Sequence, residues 1–73
     1  MELIDLTVTP VADKHRLVFD RVKQLGAGQR CVIRSHQDPI VLVSHIVEEF
    51  GETFDWQLIS AGEDVYELIV QKL

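Results

Sequence analysis

The chain has 73 residues, of which 47% are hydrophobic and 26% are charged, and it carries a formal net charge of −5. This length allows one domain, residues 1–73, with a small core, and this composition excludes intrinsic disorder as the default. The acidic balance disfavours nucleic acid as a partner, because phosphate backbones are also anionic. No apolar run reaches the roughly 18 residues of a membrane helix, so no membrane partner is expected.

The sequence indicates a cytoplasmic protein. The first residues, MELIDLTV, lack the basic start of a secretory signal peptide. Cys31 is the only cysteine, so an internal disulfide cannot form, and an unpaired cysteine favours a reducing compartment. Cys31 also falls on the inward side of a predicted strand, where a thiol packs as a small, inert hydrophobe.

The first half of the chain predicts a strand, a helix and a second strand. Alternation over residues 2–8 is typical of a strand, with Ile4, Leu6 and Val8 facing inward. Thr9-Pro10 is a typical helix start, with the hydroxyl as cap and proline at the first position. The predicted apolar stripe of this helix comprises Val11, Val18, Val22 and Leu25. Gly26 ends it, and a strand follows over residues 29–35.

The second half predicts a helix and a hairpin. Asp38 caps the helix, Pro39 takes its first position, and its interior runs from Ile40 to Phe50. Two strands follow, over 53–60 and 65–72, and the short turn between them, residues 61–64, makes them antiparallel. The predicted inward residues of the hairpin are Phe54, Trp56, Leu58, Tyr66, Leu68 and Val70.

The order β-α-β-α-β-β predicts an α+β fold. Right-handed crossovers place both helices on the same side of the sheet. We therefore expect a two-layer α/β sandwich with two helices on one face of a four-stranded mixed sheet.

Two helices leave the other face of such a sheet uncovered, and this open face is a candidate interface. A solvated face is normally polar at nearly every alternate position, and an apolar patch of a few hundred Å² is typical of an interaction surface. The alternative is that the aliphatic residues reflect strand propensity and are shielded by long polar side chains. The candidate interface residues are Leu3, Arg30, Val32, Arg34, Ile59 and Ile69.

Several motifs give the chain a family resemblance. They are the run from Asp13 to Phe19, the run from Leu25 to Gly28, Ser35-His36-Gln37-Asp38-Pro39, and Phe54-Asp55-Trp56. With these motifs the chain resembles the domain of unknown function 2249 family over nearly its whole length. The resemblance implies a fold similar to the TusA-like (SirA-like) sulfur carriers, and a setting beside hemerythrin-like domains in redox or nitrogen-oxide metabolism.

The chain departs from these relatives at two turns. The turn before the second helix resembles an Asp-His-Asp-Pro motif, and Asp38 and Pro39 match it, but the histidine is either displaced by one place, to His36, or replaced by Gln37. TusA-type carriers hold a cysteine before the proline that starts the first helix, and here the residue is Thr9. Persulfide chemistry needs a nucleophilic sulfur, so the carrier mechanism cannot operate at this position.

A candidate pocket follows from the parallel arrangement of the first two strands. In open α/β structures, ligands bind beyond the carboxyl ends of such strands, and both predicted helices start there. The candidate pocket residues are His15, His36 and Asp38. The alternatives are a histidine packed beside the helix stripe and a plain helix cap.

The sequence favours a non-catalytic interaction module that binds a protein partner or a second copy through the open sheet face. The alternative is a ligand- or metal-binding accessory in redox or nitrogen-oxide metabolism, acting at the strand-end pocket. No spacing typical of a metal site, a phosphate loop or a nucleophile–base pair occurs. We therefore expect no metal site, no cofactor and no catalytic residues.

Overall fold

A computed structural model describes residues 2–73, apart from the side chains of residues 60 and 61. The elements in chain order are β1 (Glu2–Asp5), α1 (Val11–Lys23), β2 (Arg30–Ser35), α2 (Ile40–Phe50), β3 (Phe54–Gly62) and β4 (Val65–Lys72). The predicted β-α-β-α-β-β order and α+β fold are confirmed.

The four strands form one mixed sheet in the order β1-β2-β4-β3. β1 pairs with β2 in parallel, and β4 runs antiparallel to both β2 and β3. The last strand in sequence therefore lies inside the sheet, and β1 and β3 form its edges. The carboxyl ends of β1 and β2 meet at the same end of the sheet, next to the starts of both helices.

The core lies between the helices and one face of the sheet. Val18 and Val22 of α1 and Ile46 of α2 are fully buried. They join the inward residues of the strands in one cluster, whose other members are Ile4, Leu6, Cys31, Ile33, Phe54, Leu68 and Val70. The alternation of buried and exposed residues along the strands thus selects the face that the helices cover.

The predicted strand over residues 2–8 ends early. Asp5 Oδ1 accepts hydrogen bonds from the backbone N–H and the hydroxyl of Thr7, at 3.0 and 2.5 Å. The Thr9 hydroxyl donates to the Asp5 carbonyl at 2.8 Å instead of capping α1. These local bonds turn the chain out of the sheet, so the inward placement of Val8 was wrong, and Val8 is 80% exposed.

Two other predicted core residues also lie in solvent. Val11 is 83% exposed, because it begins α1 beyond the end of the sheet. Leu58 is 52% exposed although it pairs with the buried Leu68, because it lies on the edge strand β3 beside a bulge. Both predictions followed the periodicity of the sequence, but periodicity does not show how much of the sheet the two helices cover.

Candidate functional site

A cavity of about 220 Å³ opens at the carboxyl ends of β1 and β2. Leu6, which follows β1, and Ser35, which ends β2, contribute to its sheet side. The remaining lining comes from the starts of the two helices and the turn before α2: Val11, Lys14, His15, Gln37, Asp38, Pro39, Val41 and Leu42. We call this the strand-end cavity.

Asp38 lies one residue further from the helix than the sequence predicts, because Pro39 is the cap residue and α2 begins at Ile40. The Asp38 Oδ1 accepts a hydrogen bond of 3.0 Å from the backbone N–H of Ile40, which satisfies one of the free N–H groups of the first turn of α2. Among the described residues, Asp38 joins no ion pair. Asp38 also lines the cavity, and one of its carboxylate oxygens is bound to the first turn of the helix.

His15 also lines the cavity, but its ring is held from the other side. The imidazole stacks on Phe19, with ring centroids 4.1 Å apart, and lies 5.6 Å from the ring of His45. His15 therefore stands between the strand-end cavity and a groove on the outer surface of the helices, which Glu48 and Glu49 also line.

His36 lies apart from the other two candidate pocket residues. It is absent from the lining of the cavity, and its Nδ1 lies 2.5 Å from the carbonyl oxygen of Asp64. The histidine thus links the turn before α2 to the turn between β3 and β4. His15 and Asp38 therefore line the same cavity, and His36 does not.

The sequence interpretation missed two polar residues of the cavity. Ser35 is 7% exposed, and its Oγ accepts a hydrogen bond of 3.0 Å from the backbone N–H of Gln37. It continues the inward alternation of Cys31 and Ile33, and a polar residue at that position was the available signal. Lys14 is half-buried and precedes His15 in the family motif, but it was not assigned to the pocket.

Metal-ligating side chains do not cluster in the described part of the chain. No group of three or more His, Cys, Asp or Glu residues lies together there in a way that could hold a metal ion. His15 and His45 are adjacent, but two imidazoles fall short of the three or four ligands of a protein metal site.

The open face of the sheet carries its residues in rows across the strands. One row contains Leu3, Val32 and Ile69, which the strand register places side by side. Leu3 is 47% exposed, and the other two are half-buried. The predicted apolar patch is therefore a single row, and the candidate interface residue Ile59 lies outside it, in the bulge of β3.

An ionic row lies beside this apolar row. Arg34 pairs with Asp5 of β1 at 3.5 Å and with Glu67 of β4 at 3.0 Å. Hydrogen bonds from Thr7 and the charge of Arg34 hold the pKa of Asp5 below its usual value. Arg30, in contrast, is exposed and stands next to Gln71 in the register, beyond the apolar row. The long side chains of the ionic row shield part of the face.

No helix among residues 2–73 is long and apolar enough to cross a membrane. By its fold and its cavity, the chain is a small α+β protein with helices on one face of its sheet and a cavity at the ends of its parallel strands.

Residues 3–72 match the family described as "Uncharacterized conserved protein (DUF2249)", and the chain belongs to that family. No curated protein and no solved structure matches the chain. The predicted family membership is therefore confirmed, and the match names no activity.

Proposed function

We propose that this protein is a non-catalytic binding module and that its strand-end cavity holds a small ligand. The observation that carries the proposal is the exposure of aliphatic side chains at the mouth of the cavity. Val11 and Val41 line it while 83% and 61% exposed. Exposed apolar side chains around a concavity are typical of a binding site.

The polar groups of the cavity favour binding over catalysis. Ser35 carries the only hydroxyl on the lining, and its oxygen accepts the backbone N–H of Gln37. The ring of His15 packs on Phe19. A nucleophile needs a base within hydrogen-bond reach, whereas these groups are arranged as fixed donors and acceptors around an apolar pocket.

We propose that the protein works in the cytoplasm. We also propose that its fold belongs to the TusA-like group, which its motifs resemble. The buried, unpaired Cys31 supports a reducing compartment. Thr9 in place of the carrier cysteine supports binding without sulfur transfer. An accessory role in redox or nitrogen-oxide metabolism is compatible with a ligand in this cavity.

An NMR titration of wild type, and of a variant whose rim side chain fills the cavity, tests the proposal. Small organic acids, amines, amino acids and alcohols are titrated while backbone amide resonances are followed by NMR. We expect ligands to shift the amides of Leu6, Ser35 and Gln37, and Val41→Trp to abolish these shifts, because an indole at the rim occupies the cavity. Leu58→Trp, at an exposed position on β3, is the matched control. Equal binding to Val41→Trp and wild type contradicts the proposal.

A second candidate function is association of two copies through the open sheet face. The row of Leu3, Val32 and Ile69 favours it, since a two-fold axis brings the same row of each copy together. The charge of Arg34, which lies beside the apolar row, is already paired within one chain, so covering this row does not bury an unpaired Arg34.

Sedimentation velocity tests this association. We expect wild type to form dimers whose fraction rises with protein concentration, and Ile69→Lys to remain monomeric because it places a charge in the apolar row. Ile40→Lys, on the exposed surface of α2, is the control and should associate like wild type. A wild type that stays monomeric at millimolar concentration removes this candidate.

A further inference from the structure

We propose that the ligand of the strand-end cavity is a free α-amino acid with an aliphatic side chain. Its ammonium group would pair with Asp38, its carboxylate with Lys14, and its side chain with the apolar wall. This inference rests on the proposed function, because it names the ligand class of the same cavity.

The lining of the cavity carries one cation and one anion without ion-pair partners among the described residues. Ion pairs within 4.0 Å join many of the charged residues of the chain, but within residues 2–73 neither Lys14 nor Asp38 takes part in one. Both side chains line the same cavity without reaching each other. A cation and an anion held apart at one concavity are complementary to a small zwitterion.

The cavity also presents hydrogen-bond donors to a ligand. Ser35 Oγ accepts the N–H of Gln37, and among the described residues its own hydroxyl hydrogen has no acceptor. The amide of the Gln37 side chain has no partner there either. With Lys14, these groups can donate to a carboxylate, and charge-assisted hydrogen bonds of this kind are the stronger ones.

Much of the remaining lining is apolar. Leu6 is 4% exposed and Leu42 is half-buried, while Val11 and Val41 stand in solvent at the rim. An aliphatic side chain placed among them removes apolar surface from water, worth about 25 cal/mol for each Å². The ligand therefore needs an apolar body as well as its two charges.

The size of the cavity limits the ligand further. Its volume of about 220 Å³ is below the roughly 300 Å³ at which sites for drug-sized ligands begin. A free amino acid is of a size that this cavity can hold, whereas most of a nucleotide or a folded peptide would extend out of its open mouth. A simple anion would face the carboxylate of Asp38, and a simple amine would face the ammonium group of Lys14.

Three probes of similar shape test the contributions of the two ligand charges one at a time. L-leucine carries both charges, 4-methylpentanoate lacks the ammonium group, and 3-methylbutylamine lacks the carboxylate. Amide NMR titrations of the full chain should give saturable shifts around Ser35 and Gln37 with L-leucine. Each single-charge analogue should bind at least about tenfold more weakly, because it leaves either Asp38 or Lys14 without its partner in the cavity.

Conservative variants assign the two contacts. Asp38→Asn removes the charge while its side-chain oxygen can still cap α2, and Lys14→Gln removes the cation from the cavity. Each should weaken L-leucine binding at least about tenfold, and neither should change the melting temperature by much. Lys23→Gln and Asp20→Asn, which remove an exposed ion pair of α1, are the matched controls and should bind L-leucine like wild type.

The outcomes separate this inference from the proposed function. If 4-methylpentanoate binds as tightly as L-leucine, or if Asp38→Asn leaves binding unchanged, the ligand is a plain anion and the inference is overturned. If none of the three probes binds, the inference is also overturned. In both cases the proposed function is judged separately, by the fragment titration and the Val41→Trp variant.

Discussion

Replacing Ile46 with alanine is expected to lower the free energy of unfolding by about 2–5 kcal/mol. Ile46 is the fully buried residue of α2 and joins this helix to the core below it. Domains of this size are stable by only about 4–11 kcal/mol, at 0.05–0.15 kcal/mol per residue. The substitution therefore removes a large part of the stability.

Ile40→Ala is the matched control for Ile46→Ala, because it makes the same substitution in the same helix at a residue that is 67% exposed. We expect a change within about 0.5 kcal/mol, since a surface substitution leaves no cavity and alanine favours helices. Thermal and denaturant unfolding followed by circular dichroism measure both variants. A melting temperature of Ile46→Ala within about 4 °C of that of Ile40→Ala contradicts the assigned core.

The fold was predictable because periodicity, capping residues and turn residues agree along most of the chain. Asp38-Pro39 marks the start of α2, which begins one residue later than predicted, at Ile40, whose N–H donates to Asp38. Gly51, at φ 71° and ψ −167°, ends the same helix in a conformation that favours glycine. Each of these signals is local, so no knowledge of the tertiary structure was needed.

The errors lie where tertiary or side-chain geometry overrides the pattern. Alternation places Val8 on the inward face, yet Asp5 binds Thr7 and bends the chain first. Ile59 follows the strand period but lies in a bulge, so it leaves the apolar row of the open face. A pattern of residue types contains neither event, because both depend on which hydrogen bonds form.

The candidate site was predictable in place and only partly in composition. Parallel strands followed by helices predict a cavity at their carboxyl ends, and His15 and Asp38 do line one. His36 was grouped with them because it lies at the same end of the sheet, yet its ring contacts Asp64 on a distant turn. Ser35 was missed although its inward position was a signal, and Lys14 was missed because its place on the lining and its lack of an ion pair among the described residues depend on the tertiary structure.

The thiol of Cys31 is expected to resist alkylation in the folded protein. Cys31 is fully buried on the inward side of β2, and burial, followed by the nearby charge of Glu2, raises its pKa to about 11. The thiolate is the reactive species, and at pH 8 a pKa of about 11 leaves roughly one thiol in a thousand ionised. A cysteine in the unfolded chain, with the usual pKa of 9.0, is about one tenth ionised at that pH.

Iodoacetamide labelling followed by intact mass therefore distinguishes folded from unfolded chain. We expect labelling at pH 8 to be at least about 100-fold slower in buffer than in guanidinium chloride, from ionisation alone. Ile46→Ala should label faster than wild type, because its unfolded fraction is larger. Native labelling within tenfold of the denatured rate would show that Cys31 is accessible and that the assigned packing is wrong.

The same pKa shift gives stability a dependence on pH. A folded-state pKa of about 11, above the usual value of 9.0, means that the folded chain holds the thiol proton more tightly than the unfolded chain. This contribution is complete below about pH 9 and declines as the pH rises towards about 11. The free energy of unfolding of wild type, minus that of Cys31→Ala, should fall across this interval. A difference that stays constant would mean that the thiol ionises equally well in both states, and the burial of Cys31 would have to be revised.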